Sequence, residues 1–270
     1  DFGGTRGGGT VYAISTNGTG YTNLYNINFN VVPFSPSGPQ APLALAGSNL
    51  YGATWFGGYY NKGTVFSVAT NGASSGIVHS FTPPTYSPYA VNYDGIIPAA
   101  GMIYSGGTVY GTAEQGGYTS GGTVFAFETS NPGSFRILHY FTSSIAVTNN
   151  DGANPWARLL LSGRTLYGTT LGGGSTGNGV VFAVNTNGSG FTNLHSFTGG
   201  KGGATPHAGL VLSGNTLYGT TSAGGTSDYG TLFAINTDGS GFTTLYSFTG
   251  GDDGANPQAD LILSGNTLYG

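Results

Sequence analysis

Cysteine is absent from the 270-residue sequence, so neither a disulfide framework nor a cysteine-based metal site is available to it. Charge is also scarce, because six Lys and Arg and ten Asp and Glu make up only 6 % of the chain, where an ordinary soluble domain carries about 25 %. Six cationic side chains are too few to neutralise the row of phosphates that a nucleic acid presents. We therefore expect no nucleic-acid partner.

Long apolar runs are missing as well. No segment approaches the roughly 18 consecutive apolar residues of a membrane-spanning helix, and the sequence starts at Asp1 without a charged and then apolar leader. We expect no membrane span in this chain and interpret it as a mature protein or as a module of a longer polypeptide. The absence of cysteine leaves the cellular compartment open.

Glycine and aromatic residues are abundant, with 52 Gly, 18 Tyr and 16 Phe. Glycine without a period is typical of low complexity, but here three patterns recur five times at steps of 51 to 59 residues. A period of this length is typical of propellers and solenoids. The recurring residues are a Gly-Thr-Val-Phe-like tetrad from Gly9, Gly63, Gly122, Gly179 and Gly230, a Leu-Tyr-Gly-like triplet ending at Gly52, Gly111, Gly168, Gly219 and Gly270, and Pro39, Pro98, Pro155, Pro206 and Pro257.

Each repeat unit contains four short segments rich in Val, Leu, Phe, Tyr and Thr, as strands prefer. In the unit that starts at Pro206 they are residues 209–212, 216–221, 230–236 and 242–248. Ser-Gly-Asn joins the first two segments, and Asn-Gly or Asp-Gly turns join the last two, as in tight hairpins. The pattern predicts a four-stranded antiparallel meander in every unit.

The two ends of the sequence hold complementary halves of one unit. Residues 9–14 and 21–27 correspond to the third and fourth strands, and residues 261–263 and 267–270 to the first and second. Joining them would remove exposed sheet edges, so we predict an all-β, five-bladed β-propeller of four-stranded antiparallel blades whose ring is closed by the N- and C-terminal strands. A cut through a longer array would give the same count. The predicted single domain, 1–270, has one blade shared between 1–27 and 257–270 and others at 39–81, 98–141, 155–197 and 206–248.

Three segments carry a resemblance to a known family: Leu210 to Gly219, Gly230 to Phe248 and Asp253 to Gln258. On these residues the chain resembles the GloVer tandem-repeat family of secreted and surface-anchored microbial proteins, over all five units. The resemblance implies export and a propeller-like fold, and it supplies no catalytic residue. Similarity to five-bladed lectins of the tachylectin type concerns architecture alone.

Acidic residues recur in the connection from the fourth strand to the next unit. Asp94, Asp151 and Asp253 each precede Gly and stand four residues before the repeat proline, and Asp252 adjoins the last of them. Their oxygens are suited to a hard cation, so calcium is a possible cofactor, with Asp252 and Asp253 as the best pair. The alternative is an Asx-type turn that orders the loop.

Two further sets of residues occupy equivalent positions in different units. His79, His139 and His195 lie on outer strands of different blades, so we expect aromatic packing or exposure at the rim, and no shared metal ion. Arg158 and Asp260 lie on the inner strands, where we expect them to meet, or to be bridged by water, near the channel mouth. No pair of carboxylates suited to glycoside hydrolysis and no phosphate-binding loop emerges, so we predict that the protein is not an enzyme.

Aromatic residues also occur on the connections of one face: Trp55, Tyr59, Tyr60, Tyr118, Trp156 and Tyr229. Such rings can stack on sugars, which makes glycans a possible partner; alternatively they fill gaps between blades. Asn17 and Asn187 lie in glycosylation sequons on equivalent hairpin turns.

Together these features predict a non-enzymatic extracellular module. We expect a structural building block or adhesive element of a cell-surface layer or filament, in contact with copies of itself or neighbouring repeat modules. The alternative is a carbohydrate-binding, lectin-like propeller, and a glycoside hydrolase-like enzyme is a remote one.

Overall fold

The computed structural model of the protein describes residues 7–28, 41–83, 92–143 and 149–270. Within this part of the chain the fold is all-β, with a single 3-10 turn at Gly200–Gly202. The first repeat proline, Pro39, lies outside the described residues. None of the described segments forms a helix long and apolar enough to cross a membrane.

The strands follow the repeat units and pair antiparallel with their sequence neighbours. Four sheets have four strands each, and two sheets have two strands each. The four-stranded sheets are β3 to β6 (Ala44–Ala46, Asn49–Thr54, Thr64–Ala69, Ser75–Ser80), β7 to β10 (Ile103–Ser105, Thr108–Ala113, Thr123–Glu128, Asn131–Tyr140), β11 to β14 (Leu160–Ser162, Thr165–Thr170, Val180–Asn185, Thr192–Ser196) and β15 to β18 (Val211–Ser213, Thr216–Thr221, Thr231–Asn236, Thr243–Ser247). The two-stranded sheets are β1 and β2 (Gly7–Ala13, Thr22–Asn28) and β19 and β20 (Ile262–Ser264, Thr267–Tyr269).

The predicted meander is confirmed in the four complete units. The second strand of the unit after Pro206 has the predicted bounds, Thr216–Thr221, whereas the first strand has only three residues, Val211–Ser213. Its predicted start, residues 209–210, instead lies in the segment that precedes this strand. The third and fourth strands in every complete unit pair through a register shift, and such bulges increase the local twist.

A phenylalanine on the third strand of each complete blade lies over the glycine of the Leu-Tyr-Gly triplet. A Cβ atom added at Gly168 would lie 2.5 Å from the ring of Phe182, so only glycine leaves room for this ring. The same pairing occurs between Gly52 and Phe66, Gly111 and Phe125, and Gly219 and Phe233. All four phenylalanines are fully buried.

Consecutive blades share their hydrophobic core. One core cluster joins Tyr167 and Val181 of the third complete blade to Leu217 and Phe233 of the fourth, and two other clusters join the earlier complete blades in the same way. A blade has apolar residues on both faces, so it is buried only between two neighbours. This arrangement is the packing of a propeller.

The two half-units differ from the sequence prediction. We expected β1, β2, β19 and β20 to form one blade, but in the structure they are two separate sheets. The N-terminal pair packs through Val11 and Ile27 on Phe66 of the first complete blade. β1 and β20 are therefore not hydrogen-bonded to each other in this structure.

Phe191 tests the packing between blades. Its ring stacks on His139 of the preceding blade, with centroids 3.6 Å apart and planes 5° apart, and it also contacts Phe182. We expect Phe191→Ala to lower the free energy of unfolding by about 2–4 kcal/mol, because a partly buried aromatic anchor is lost. Urea denaturation provides the measurement.

Leu45→Ala is the matched control, since Leu45 lies on an inner strand but is 59 % exposed. We expect it to change the free energy of unfolding by less than about 1 kcal/mol. Equal losses for the two variants would show that contacts between blades do not dominate stability.

Candidate functional site

The segments that lead into the first strands meet in the middle of the molecule. They surround a cavity of about 430 Å³, a size within the usual range of small-molecule sites. We call it the axial cavity. All five repeat units contribute to its wall, through Ala41, Pro42, residues 99–101, residues 156–158, His207 and residues 258–260.

Arg158 and Asp260 meet at the axial cavity, as the sequence predicts, although they lie two residues before β11 and β19 and not on these strands. The Arg158 Nε atom lies 3.8 Å from Asp260 Oδ2, and the side chains are 47 % and 41 % exposed. Asp260 Oδ1 also accepts a hydrogen bond of 2.6 Å from the backbone N–H of Gly209, which fixes the carboxylate. A pair this long and this exposed adds little to stability, so both charged groups remain accessible to a ligand.

Three aromatic rings form a second side of this region. Trp156 lines the axial cavity, and its ring meets Trp55 edge-on at a centroid distance of 5.2 Å. On its other side Trp156 contacts the ring of His207, also at 5.2 Å. Burial lowers the pKa of His207 below its ordinary value, which favours the uncharged form of this imidazole.

The remaining aromatic residues proposed for ligand binding do not converge with the tryptophans. Tyr59 and Tyr60 contact each other edge-on at 4.8 Å. Tyr118 contacts Tyr93, and the ring of Tyr229 lies against Gly250. The structure thus brings together Trp55 and Trp156 and leaves the four tyrosines in separate places. A role of these tyrosines in ligand binding stays a prediction.

The repeated aspartates each cap the start of the loop after the fourth strand. Asp151 accepts hydrogen bonds from the Thr142 backbone N–H at 3.1 Å and pairs with His139 Nε2 at 3.2 Å. Asp94 makes the same contacts with Thr82 and His79. Asp253 does so with Thr249 and the Tyr246 hydroxyl. We call this arrangement the aspartate cap.

The hydrogen bonds of the aspartate caps favour the loop-ordering alternative over calcium. N–H and O–H donors point at the carboxylate oxygens that a cation would need, and each cap brings a single carboxylate to its own blade. Asp252 beside the third cap is exposed. Among the described residues there is no group of three or more His, Cys, Asp or Glu side chains suited to a metal ion. Calcium binding at Asp252 and Asp253 stays a prediction.

The three strand-four histidines pack between blades, as expected. His79, His139 and His195 stack on Phe135, Phe191 and Phe242 of the next blade, with centroids 3.6 to 3.7 Å apart and planes within 7°. Burial lowers the pKa of His195 below its ordinary value. These imidazoles therefore serve as flat packing groups, each between its own pair of successive blades.

Both predicted glycosylation sequons lie on exposed hairpin turns. Asn17 Oδ1 accepts hydrogen bonds from the backbone N–H and hydroxyl of Thr19, and Asn187 does the same with Ser189. Asp238 makes the same turn with Ser240. The side-chain oxygen thus has a structural role in every case, and attachment of a glycan stays a prediction.

Sequence reasoning missed two partners. It did not find that the phenylalanines at the start of strand four are the stacking partners of the histidines, although their recurrence at Phe135, Phe191 and Phe242 was a usable signal. It also did not predict the contact between Trp55 and Trp156, because the two tryptophans are about a hundred residues apart and occupy different positions in their units.

Asp151 tests the aspartate cap. Burial alone raises the pKa of Asp151, but hydrogen bonds from His139 and Thr142 outweigh burial and lower the pKa below its ordinary value of 3.8. The ionised carboxylate therefore stabilises the fold above pH 4, and this contribution is lost as pH falls through the lowered pKa. We expect Asp151→Asn to lower the unfolding free energy by about 1–3 kcal/mol at pH 7, with a smaller difference from the wild type near pH 3.

Asp252→Asn is the control, and we expect no measurable change because this side chain is exposed. Melting curves with calcium and with a chelator accompany both variants. A higher melting temperature in calcium that disappears in Asp252→Asn would overturn the loop-ordering interpretation.

Solved structures with similar folds are distant in sequence. A chain of a nidogen/laminin complex superimposes with a TM-score of 0.50 at 12 % identity, covering 91 % of this chain and 74 % of its own. TolB from Acinetobacter baumannii gives 0.54 at 14 % identity, covering 93 % and 51 %. An extracellular domain from B. thetaiotaomicron gives 0.55 at 11 % identity, covering 95 % and 28 %. At these identities the similarity concerns the propeller-like fold alone.

The family assignment comes from sequence. Comparison with curated proteins gave no match. The model of the Gloeobacter/Verrucomicrobia repeat, however, matches residues 1–148 and 87–270. These two overlapping matches span the chain and confirm the resemblance drawn from the repeated segments. The protein therefore belongs to the Gloeobacter/Verrucomicrobia repeat family.

Proposed function

We propose that the protein is a non-catalytic, extracellular β-propeller module that serves as a rigid structural or adhesive unit of a cell surface. The observation that carries this proposal is that the repeated histidines and aspartates, which could serve in catalysis, are used for packing and for hydrogen bonds that hold the fold. The strand-four histidines stack between blades, and the loop aspartates cap backbone N–H groups. Both devices recur from unit to unit, which is typical of residues selected for a rigid scaffold.

The composition of the chain and its similarity in fold to extracellular proteins support an extracellular location. The chain has only 6 % charged residues, far below the surface charge that keeps a free domain soluble, so its surface is suited to contact with copies of itself or with neighbouring repeat modules. Two sequons lie on exposed turns. Proteins of similar fold include a nidogen/laminin complex and an extracellular domain.

We further propose that the ring has five blades and closes by pairing β20 with β1. Tyr12 and Ile14 occupy the repeat positions of Phe233 and Ile235, which are fully buried, yet Tyr12 and Ile14 are 57 % and 51 % exposed. A largely apolar groove of about 410 Å³ lies beside β20, lined in part by Leu232, Phe248, Leu261 and Leu268. These are the counterparts of the residues that surround Phe233 and Ile235.

Cysteine cross-linking tests this closure, because the chain has no cysteine of its own. In three complete blades the tyrosine of the second strand pairs with an alanine of the third, as Tyr167 does with Ala183. Closure places Tyr269 opposite Ala13 in the same register. We expect the variant with Ala13→Cys and Tyr269→Cys to form a disulfide within one chain, detected as a faster-migrating monomer on a non-reducing gel.

The pair Ala13→Cys and Thr267→Cys is the control, since a shift of two residues separates the Cα atoms beyond disulfide reach. Cross-links only between chains would mean that the two edges join copies end to end. Equal yields for both pairs would contradict the proposed register.

Imaging of the producing cells tests the function itself. Antibodies against the folded chain are applied to intact cells and to cell fractions, and the labelled surface is imaged by electron tomography. We expect label on intact cells, arranged with neighbouring copies or modules. Label confined to the cytosolic fraction would overturn the proposal, and the intact mass of the recovered protein reports whether Asn17 and Asn187 carry glycans.

A further inference from the structure

The repeat units differ from one another in the residues next to the repeat proline, around the axial cavity. The residue two positions after the repeat proline is alanine in all five units. Its neighbours are not constant: the preceding position holds Gln40, Ala99, Trp156, His207 or Gln258, and the following position holds Pro42, Gly101, Arg158, Gly209 or Asp260. The varying residues that the structure describes line the axial cavity, Gly209 excepted. Constant scaffold residues beside variable residues around one cavity are typical of a binding site.

The small residues at these positions make room for the charged ones. A Cβ atom added at Gly101 would lie 3.1 Å from Arg158 Cδ, and one added at Gly209 would lie 3.0 Å from Asp260 Oδ1. Each charged side chain therefore fits because the neighbouring unit has glycine. The five units together build one asymmetric site that no single unit contains.

The groups around the axial cavity define the chemistry of a ligand. One guanidinium and one carboxylate sum to zero charge, Gln258 adds an amide, and Trp156 adds a flat apolar wall. Beside that wall, the indole N–H of Trp55 is buried and has no hydrogen-bond partner among the described residues. This combination suits a neutral ligand with one apolar face and several adjacent hydroxyl groups.

We propose that the axial cavity binds a terminal sugar unit of a glycan. A pyranose ring places its apolar C–H face on Trp156, while vicinal hydroxyls donate to Asp260 and accept from Arg158, giving charge-assisted hydrogen bonds. The open mouth leaves the rest of the glycan chain in solvent. This inference goes beyond the structural role proposed above and does not depend on it.

Intrinsic fluorescence provides a local reporter, because Trp55 and Trp156 are the only two tryptophans of the chain and they contact each other. The probes are methyl glycosides of glucose, galactose, mannose and N-acetylglucosamine, titrated one at a time, with free glycine as a zwitterionic comparison. We expect a saturable change in tryptophan emission with at least one glycoside and none with glycine.

Variants then assign the response to the cavity. Asp260→Asn is expected to weaken binding of the responding glycoside at least about tenfold, the effect of losing a charged hydrogen-bond partner. Gln258→Ala, at an exposed position, is expected to weaken glycoside binding severalfold, and this variant tests the cavity if Asp260→Asn does not fold.

Asp228→Asn is the control. Asp228 accepts a hydrogen bond from the Gly224 N–H, as Asn61 does from the Gly57 N–H in another unit, so asparagine is able to replace it. We expect the Asp228→Asn variant to bind the glycoside with the affinity of the wild type.

Three results would overturn the proposal. One is the absence of a saturable response to every glycoside by the folded protein. Another is a response to glycine alone, which would assign the Arg158 and Asp260 pair to a zwitterion. The third is equal affinity in the wild type, Gln258→Ala and every folded Asp260 variant, which would place sugar binding elsewhere on the surface.

Discussion

The structure depends on how each sheet buries its third strand. The phenylalanine of that strand has the tip of its ring against a glycine of the second strand. It shares its core cluster with residues of the preceding unit, so a single blade cannot bury it alone. Four such rings are fully buried. The requirement for a neighbour on each side makes the units pack around an axis, because a twisted four-stranded sheet that buries both faces has few other arrangements.

This packing decides where polar chemistry is found. Strand-four histidines are used as stacking surfaces between blades, and loop aspartates hold the connection that leads to the next blade. Each of these groups is tied to its own junction, so none joins its counterparts in a shared centre. At the axis, by contrast, short segments from all five units approach one another. Equivalent residues of different units line the same cavity there, and they are not alike. The axis is thus where the repeat gives way to an asymmetric arrangement.

The local features were predictable from sequence because they rest on short-range patterns. The hairpin turns at Asn187 and Asp238 follow from the Asn-Gly and Asp-Gly dipeptides, and the second strand Thr216–Thr221 follows from its richness in Thr, Leu and Tyr. The meeting of Arg158 and Asp260 was also predictable, because the two residues occupy equivalent positions of their units beside the inner strands, which approach one axis. The contact between Trp55 and Trp156 was not, since it joins a loop of one unit to the entry segment of another. The state of β1 and β20 was not predictable either: matching patterns identify edges that are able to pair, whereas the structure has them in separate sheets.

The sequence by itself determined the repeat, the four strands of each complete unit, the scarcity of charge and the family. These properties depend on composition and on residue spacing within one repeat unit of about sixty residues or fewer. Only the tertiary structure decided that the histidines stack on the next blade, that the loop aspartates accept hydrogen bonds from N–H and O–H donors, and that Trp55 contacts Trp156 beside the axial cavity. The physical reason is that each of these outcomes depends on which side chains of neighbouring units come within contact distance, and that is set by the angle and offset between blades.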